Sequence, residues 1–312
     1  MTNTTSLKPA GGRSSRAAER EANRRSSVRR RRLLRGTAVA VIVSATVLIG
    51  FFVTRGDDPR ATASPSVPIV GGDLHTATSI KDALFVGGHA AVAVSHDQGH
   101  TWKEVASLAG ADAMGWAVTP EAVLVGGHPG LFKSTDGGDT FAPVDDVSFN
   151  DVHALGGAGP RVYLASPAAG LLVSTDGGTH WKVRNSDAGR SFMGTILVDP
   201  KDPQRLIAPD MSGALAVSRD GGLHWEALGG PMGAMAADWN PTNTDEVVAV
   251  GMDGAARSVD GGAKWQTLDV PMGTSAIAYA RDGKVLIAAA LEGERAVTYR
   301  STDDGATWTR ST

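Results

Sequence analysis

Imidazole and thioether side chains recur along this chain at a nearly fixed interval. His75, Met114, His153, Met193, Met232 and Met272 follow one another in steps of 39, 39, 40, 39 and 40 residues. A second group, His89, His128, Met211 and Met252, falls between them, and Met235 stands three residues beyond Met232. Neutral sulfur and imidazole nitrogen together are the donors that suit copper, above all Cu(I), and a chain without cysteine has no thiolate to offer instead. The candidate metal ligands are therefore His75, His89, Met114, His128, His153, Met193, Met211, Met232, Met235, Met252 and Met272. One ion would take the subset that converges, two or three imidazoles with one or more thioethers. The competing reading of each position is packing, since methionine fills irregular gaps and histidine lines polar openings.

The elements that must hold these residues are repeats. Six times the chain writes a phrase of the form Ser-x-Asp-x-Gly-x-Thr-Trp, starting at Ser95, Ser134, Ser174, Ser218, Ser258 and Ser301. Five copies close on Trp and one on Phe141. The serines lie 39, 40, 44, 40 and 43 residues apart, the length of four short antiparallel strands with their turns. Within each phrase the Asp can accept N–H bonds of its own turn, the Gly supplies a positive φ, and the aromatic packs between neighbouring sheets. The expected fold is an all-β, six-bladed β-propeller. In blade two, residues 114–118, 122–128, 130–134 and 140–144 read as its four strands. Asp199-Pro200 and Asn240-Pro241 open Asx-Pro turns between first and second strands in blades four and five.

First strands line a propeller's channel and run in one direction, so His75, Met114, His153, Met193, Met232 and Met272, read as the strand starts, form a ring at one mouth. The second strand returns antiparallel, which brings His89, His128, Met211 and Met252 to the same face. His96, His100, His180 and His224 belong to the repeated turns at the other end.

On these six phrases the chain resembles the Asp-box (BNR) repeat proteins, a group that contains sialidases, sortilin-type receptors and photosystem assembly factors. The resemblance covers nearly everything after about residue 70 and implies the propeller fold, with the Asp boxes structural and away from the ligand site. A sialidase-like activity would need three arginines for a carboxylate, a Tyr nucleophile backed by Glu, and an Asp. The Phe/Tyr-Arg-Ile-Pro phrase of that group is missing here, and no arginine occurs between Arg60 and Arg161. Tyr279 is the tyrosine expected on a first strand, and Glu292 with Glu294 reaches the ligand face as a candidate carboxylate pair, with solvated loop charges the preferred reading. The glycosidase reading is disfavoured. The receptor and assembly-factor resemblance implies instead a protein-interaction scaffold, for which Trp116 and Trp239, outside the repeated phrases, are candidate contacts, with strand-end packing the preferred reading of both.

Residues 1–35 carry eleven Lys and Arg against Glu19 and Glu21, the composition of a disordered basic tail. Residues 36–53 carry no charge and span roughly 27 Å as a helix, enough to cross a bilayer. The arginine cluster would keep the N-terminus cytoplasmic and place everything after Thr54 outside, as a single-pass cell-membrane protein. An uncleaved signal-anchor is preferred to cleavage at Ala61-Thr-Ala63 and to a twin-arginine signal at residues 30–35. Residues 54–69, with Pro59, Pro65 and Pro68, read as a linker, and 70–312 as the exported propeller. Setting the tail's charge of +9 apart leaves −12 on the rest, which excludes nucleic acid as a natural partner and attracts cations. The expected partners are a metal ion, a membrane or extracytoplasmic protein, and the membrane itself through residues 36–53. Residues 67–70 are expected to add an edge strand where the ring closes.

Overall fold

The computed structural model describes residues 67–144 and 151–311. The basic tail, the expected membrane span and most of the linker lie outside the described residues, among which no helix is long and apolar enough to cross a membrane.

Six sheets follow one another along the chain, each with four antiparallel strands in the order first to fourth, except that part of blade four's first strand joins the sheet of blade three in parallel. The first strands are Leu74–Ile80, Gly115–Val118, Ala154–Ala158, the broken pair Gly194–Thr195 and Leu197–Val198, Ala236–Asn240 and Thr274–Tyr279. The fold is an all-β, six-bladed propeller. Blade two shows how closely pattern becomes structure. Its strands are Gly115–Val118, Val123–Gly127, Gly130–Ser134 and Ala142–Pro143, and a tight hairpin pairs Gly127 with Gly130. The Asx-Pro turns form as expected, with Lys201 N donating to Asp199 Oδ1 at 2.9 Å and Thr242 N to Asn240 Oδ1 at 3.0 Å.

Each repeated turn is built in the same way. The Ser hydroxyl donates to the Asp carboxylate, as from Ser134 to Asp136 at 2.7 Å, and accepts the N–H of the Gly four residues on. The carboxylate also accepts N–H bonds at the far side of the turn. In blades three and four, His180 and His224 occupy the Thr position and place Nδ1 at 2.7 and 2.6 Å from Asp176 and Asp220. The turn aims its closing aromatic into a seam. Trp102 packs between blades six and one, Phe141 between one and two, Trp181, Trp225 and Trp265 in the next three seams, and Trp308 between five and six. Six seams thus hold six apolar clusters, and burial of each aromatic contributes on the order of 2 kcal/mol.

Trp116 and Trp239, weighed as partner contacts against the preferred reading of strand-end packing, are core residues. Trp116 lies against Phe85 and Phe141, with ring centroids 5.1 and 6.0 Å away, and Trp239 is covered by the Arg205 guanidinium at 5.6 Å. Strand pleating turns both inward, so neither is available to a partner.

Near the axis the first strands approach backbone to backbone. Gly194 and Thr195 leave blade four to pair in parallel with Ala154 and Leu155 of blade three. A Cβ on Gly156 would collide with the Ile196 carbonyl, and one on Gly115 with the Gly194 carbonyl, so glycine is required at both.

The ring closes through a clasp rather than an added strand. Ile69 forms a single antiparallel bridge to Arg295 at the outer hairpin of blade six, Val70 N donates to Glu294 O at 2.9 Å, and Ala296 N donates to Pro68 O at 2.9 Å. Val70 is fully buried in the seam of blades six and one.

Candidate metal centre

The residues at the mouth are positioned by a pair of glycines. Blades one and two each end their second strand on Gly-Gly-His, at 87–89 and 126–128. A Cβ on Gly88 would collide with the Asp73 carbonyl, and a Cβ on Gly127 with the Asp112 carbonyl. Glycine therefore lets the loop entering each first strand lie directly on the end of the second. His89 N then donates to Asp73 O at 3.3 Å, and Asp112 N donates to His128 O at 2.9 Å. Ala113 N donates to Gly88 O at 3.2 Å, which ties the loop of blade two onto blade one and carries Asp112 across the seam.

There Asp112 meets two histidines of blade one. His75 Nε2 lies 3.3 Å from Asp112 Oδ1, and His89 Nδ1 lies 3.7 Å from Asp112 Oδ2. One donor atom from each residue falls within 4.8 Å of the others, and this is the one such cluster of three among the described residues. His75 Nε2 and Asp112 Oδ1 are both buried, and neither makes a hydrogen bond. The rings of His75 and His89 stand edge to face, 6.2 Å between centroids. Burial pushes the Asp112 carboxyl above its usual range, with His75 and then His89 pulling the other way. The His89 side chain is 72% exposed, so the cluster opens to solvent on that side. Two imidazoles and a carboxylate converging from adjacent blades can hold one cation with positions left open to an exchangeable ligand.

The other expected ligands are not drawn into this cluster. Asp112 also feels His128, but the His128 side chain lies outside the group of three. His153 turns to Asp151, Nε2 to Oδ1 at 3.0 Å. Met114 is buried, Met193 and Met235 are half-buried, and Met211, Met232, Met252 and Met272 are exposed. The register also corrects the ring. Met114, His153, Met193 and Met235 donate their N–H to equivalent carbonyls of the second strand, at Gly126, Ala165, Pro209 and Val250. Met232 and Met272 sit four and two residues ahead of the strands that start at Ala236 and Thr274, beside Gly233 and Gly273 at φ +61° and +80°. Sequence reasoning missed Asp112, although Asp-x-His/Met recurs at Asp73, Asp112 and Asp151 and signals a carboxylate two residues before each strand start.

Of the groups weighed for glycoside chemistry, Tyr279 has its hydroxyl buried and Glu292 forms a two-pronged pair with Arg310, 3.1 Å on each side. The Glu294 carbonyl serves the closing clasp.

No family model matches the chain, and no curated protein matches it. Solved structures share its fold. The GH74 xyloglucanase of Xanthomonas campestris superposes with a TM-score of 0.54 at 19% identity, covering 78% of this chain and 46% of that one. A structure of YCF48 bound to D1 peptide gives 0.50 at 18% identity, covering 81% and 88%. The chain spans less than half the length of the xyloglucanase it matches.

Proposed function

We propose that this chain is a membrane-anchored extracytoplasmic propeller that holds one divalent transition-metal ion, copper(II) ahead of others, at the seam of blades one and two. The observation that carries the reading is the facing pair of buried atoms without hydrogen bonds, His75 Nε2 and Asp112 Oδ1, joined by His89 Nδ1 on the open side. Without an ion these two desolvated atoms have ion-pair contacts, at 3.3 Å to each other and at 3.9 Å from His75 Nε2 to Asp73 Oδ2, but no hydrogen bond, whereas a bound cation satisfies both. Imidazole with carboxylate suits divalent borderline ions better than the imidazole and thioether set expected from sequence, and among these ions affinity peaks at Cu(II). The acidic balance of residues 36–312 favours cation capture.

Calorimetric titration of the full chain in detergent with Cu(II) and Zn(II) tests the proposal. One equivalent should bind, Cu(II) more tightly, and His75→Ala and Asp112→Asn should each weaken it at least tenfold. Absence of stoichiometric binding, or affinity indifferent to both substitutions, overturns it.

A second reading, a protein-interaction scaffold, is favoured by the exposure of Met211, Met232, Met252 and Met272 on the mouth face, at 44, 54, 77 and 98%. Flexible methionine surfaces suit adaptable partners, and the YCF48 structure that shares the fold was solved with a peptide. A pull-down from membranes separates the two readings. A partner retained after chelation supports the scaffold, and one released by chelation supports the metal site.

A further inference from the structure

The exposed methionines of blades four and five share a built setting of their own. Met252 N donates to Met232 O at 2.8 Å, and Met232 N donates to Asp253 Oδ1 at 2.8 Å, so the two loops are locked together. The Met252 side chain folds back over Gly233, where an added Cβ would lie 2.8 Å from its sulfur. Gly233 N in turn donates to Gly213 O, two residues beyond Met211, and Met211 N donates to Ser191 O at 3.0 Å. Backbone bonds thus hold three methionine-bearing loops side by side, while the thioethers stay open to solvent. A packing role does not account for side chains this exposed.

We propose that Met211, Met232 and Met252 form a second metal site, made of thioethers alone, for a soft monovalent ion such as Cu(I) or Ag(I). Neutral, polarizable sulfur binds a closed-shell monovalent ion and discriminates against hard or borderline divalent ions. Asp210 and Asp253 flank the loops and add negative potential, and each has one oxygen, Oδ1, accepting a backbone N–H. Met272 is 98% exposed on a blade-six loop that bonds within itself, Thr274 N to Pro271 O, and stands outside the site. This site is independent of the cluster at His75, His89 and Asp112.

The test is nuclear magnetic resonance of the full chain in detergent micelles, labelled with carbon-13 at the methionine methyl groups and titrated with Ag(I). Without cysteine in the sequence, no thiolate competes for the ion. The methyl signals of Met211, Met232 and Met252 should move together and saturate at one equivalent, with Met272 and Met114 unmoved at that point. Met232→Leu and Met252→Leu, which keep the apolar bulk, should each weaken Ag(I) binding at least tenfold and leave Cu(II) and Zn(II) titrations unchanged. Movement of Met272 in parallel without saturation, no methyl shifts, or full affinity in the double Leu variant overturns the proposal.

Discussion

His75 and Asp112 face each other across the seam of blades one and two, Nε2 to Oδ1 at 3.3 Å, and Asp112 reaches that point because Gly127 has no side chain. The loop carrying Asp112 rests on the Gly127 backbone, and an added Cβ would drive the Asp112 carbonyl away. Gly127→Ala should therefore cost about 1–3 kcal/mol in urea unfolding, as overpacking does. It should also weaken Cu(II) binding roughly 10–100-fold, the usual penalty for displacing a ligand's support. Calorimetry that finds full affinity in a folded Gly127→Ala protein would show that the loop does not set the site.

The repeated turns predict the acid limb of stability. Asp303 is held down to about 2 by the Thr307 hydroxyl first, then by Thr307 N–H and the Ser301 hydroxyl. Asp97, Asp136, Asp176 and Asp220 are likewise held well below the usual carboxylate range by bonds within their turns. A folded value below the unfolded one means that the stabilisation is complete above the ordinary 3.8 and is lost as pH falls toward 2. The protein should lose stability steeply between about pH 4 and 2. Asp303→Asn should flatten part of that slope in an acid titration followed by circular dichroism.

The fold was legible in the sequence because its signal is local and repeated six times. Ser, Asp and Gly close a turn among themselves, and strand pleating then decides where the aromatic points. The site was legible only in part. His75 and His89 stand on one blade and show in spacing, but Asp112 comes from the next blade, and the contact depends on loops crossing a seam. Pro231-Met232-Gly233 and Pro271-Met272-Gly273 misled the register for a physical reason. Proline offers no N–H to a ladder and the glycines sit at positive φ, so each triplet forms a loop ahead of the strand while matching the spacing of a strand start.

Phe141 fills the seam that His75, His89 and Asp112 bridge, and it is the one closing aromatic without an indole. It packs against Trp116, centroids 6.0 Å apart at 77°, and its N–H is held by Ser107 Oγ at 2.9 Å. Phe141→Ala should cost about 3–5 kcal/mol, the range for truncating a buried aromatic. Urea unfolding measures the loss, and a red shift of tryptophan emission should accompany it as Trp116 loses its neighbour. A cost under about 1 kcal/mol would mean that the seam re-packs around the cavity.

Asp238 carries the opposite pH dependence. It lies on the first strand of blade five, where its carboxylate accepts N–H bonds from Trp239 at 2.9 Å and from Tyr279 of blade six at 2.8 Å. Burial nevertheless outweighs both bonds and pushes the carboxyl up to about 7. With the folded value above the unfolded one, this group favours folding fully below about pH 4 and progressively less up to about pH 7, since only the unfolded chain gives up the proton in that window. At about 1.4 kcal/mol per pH unit, the loss approaches about 4 kcal/mol. Asp238→Asn stays neutral throughout, so its unfolding free energy should be flatter than the wild type's between pH 4 and 7. Parallel pH profiles for the two proteins would place the Asp238 carboxylate in water rather than in the wall between blades five and six.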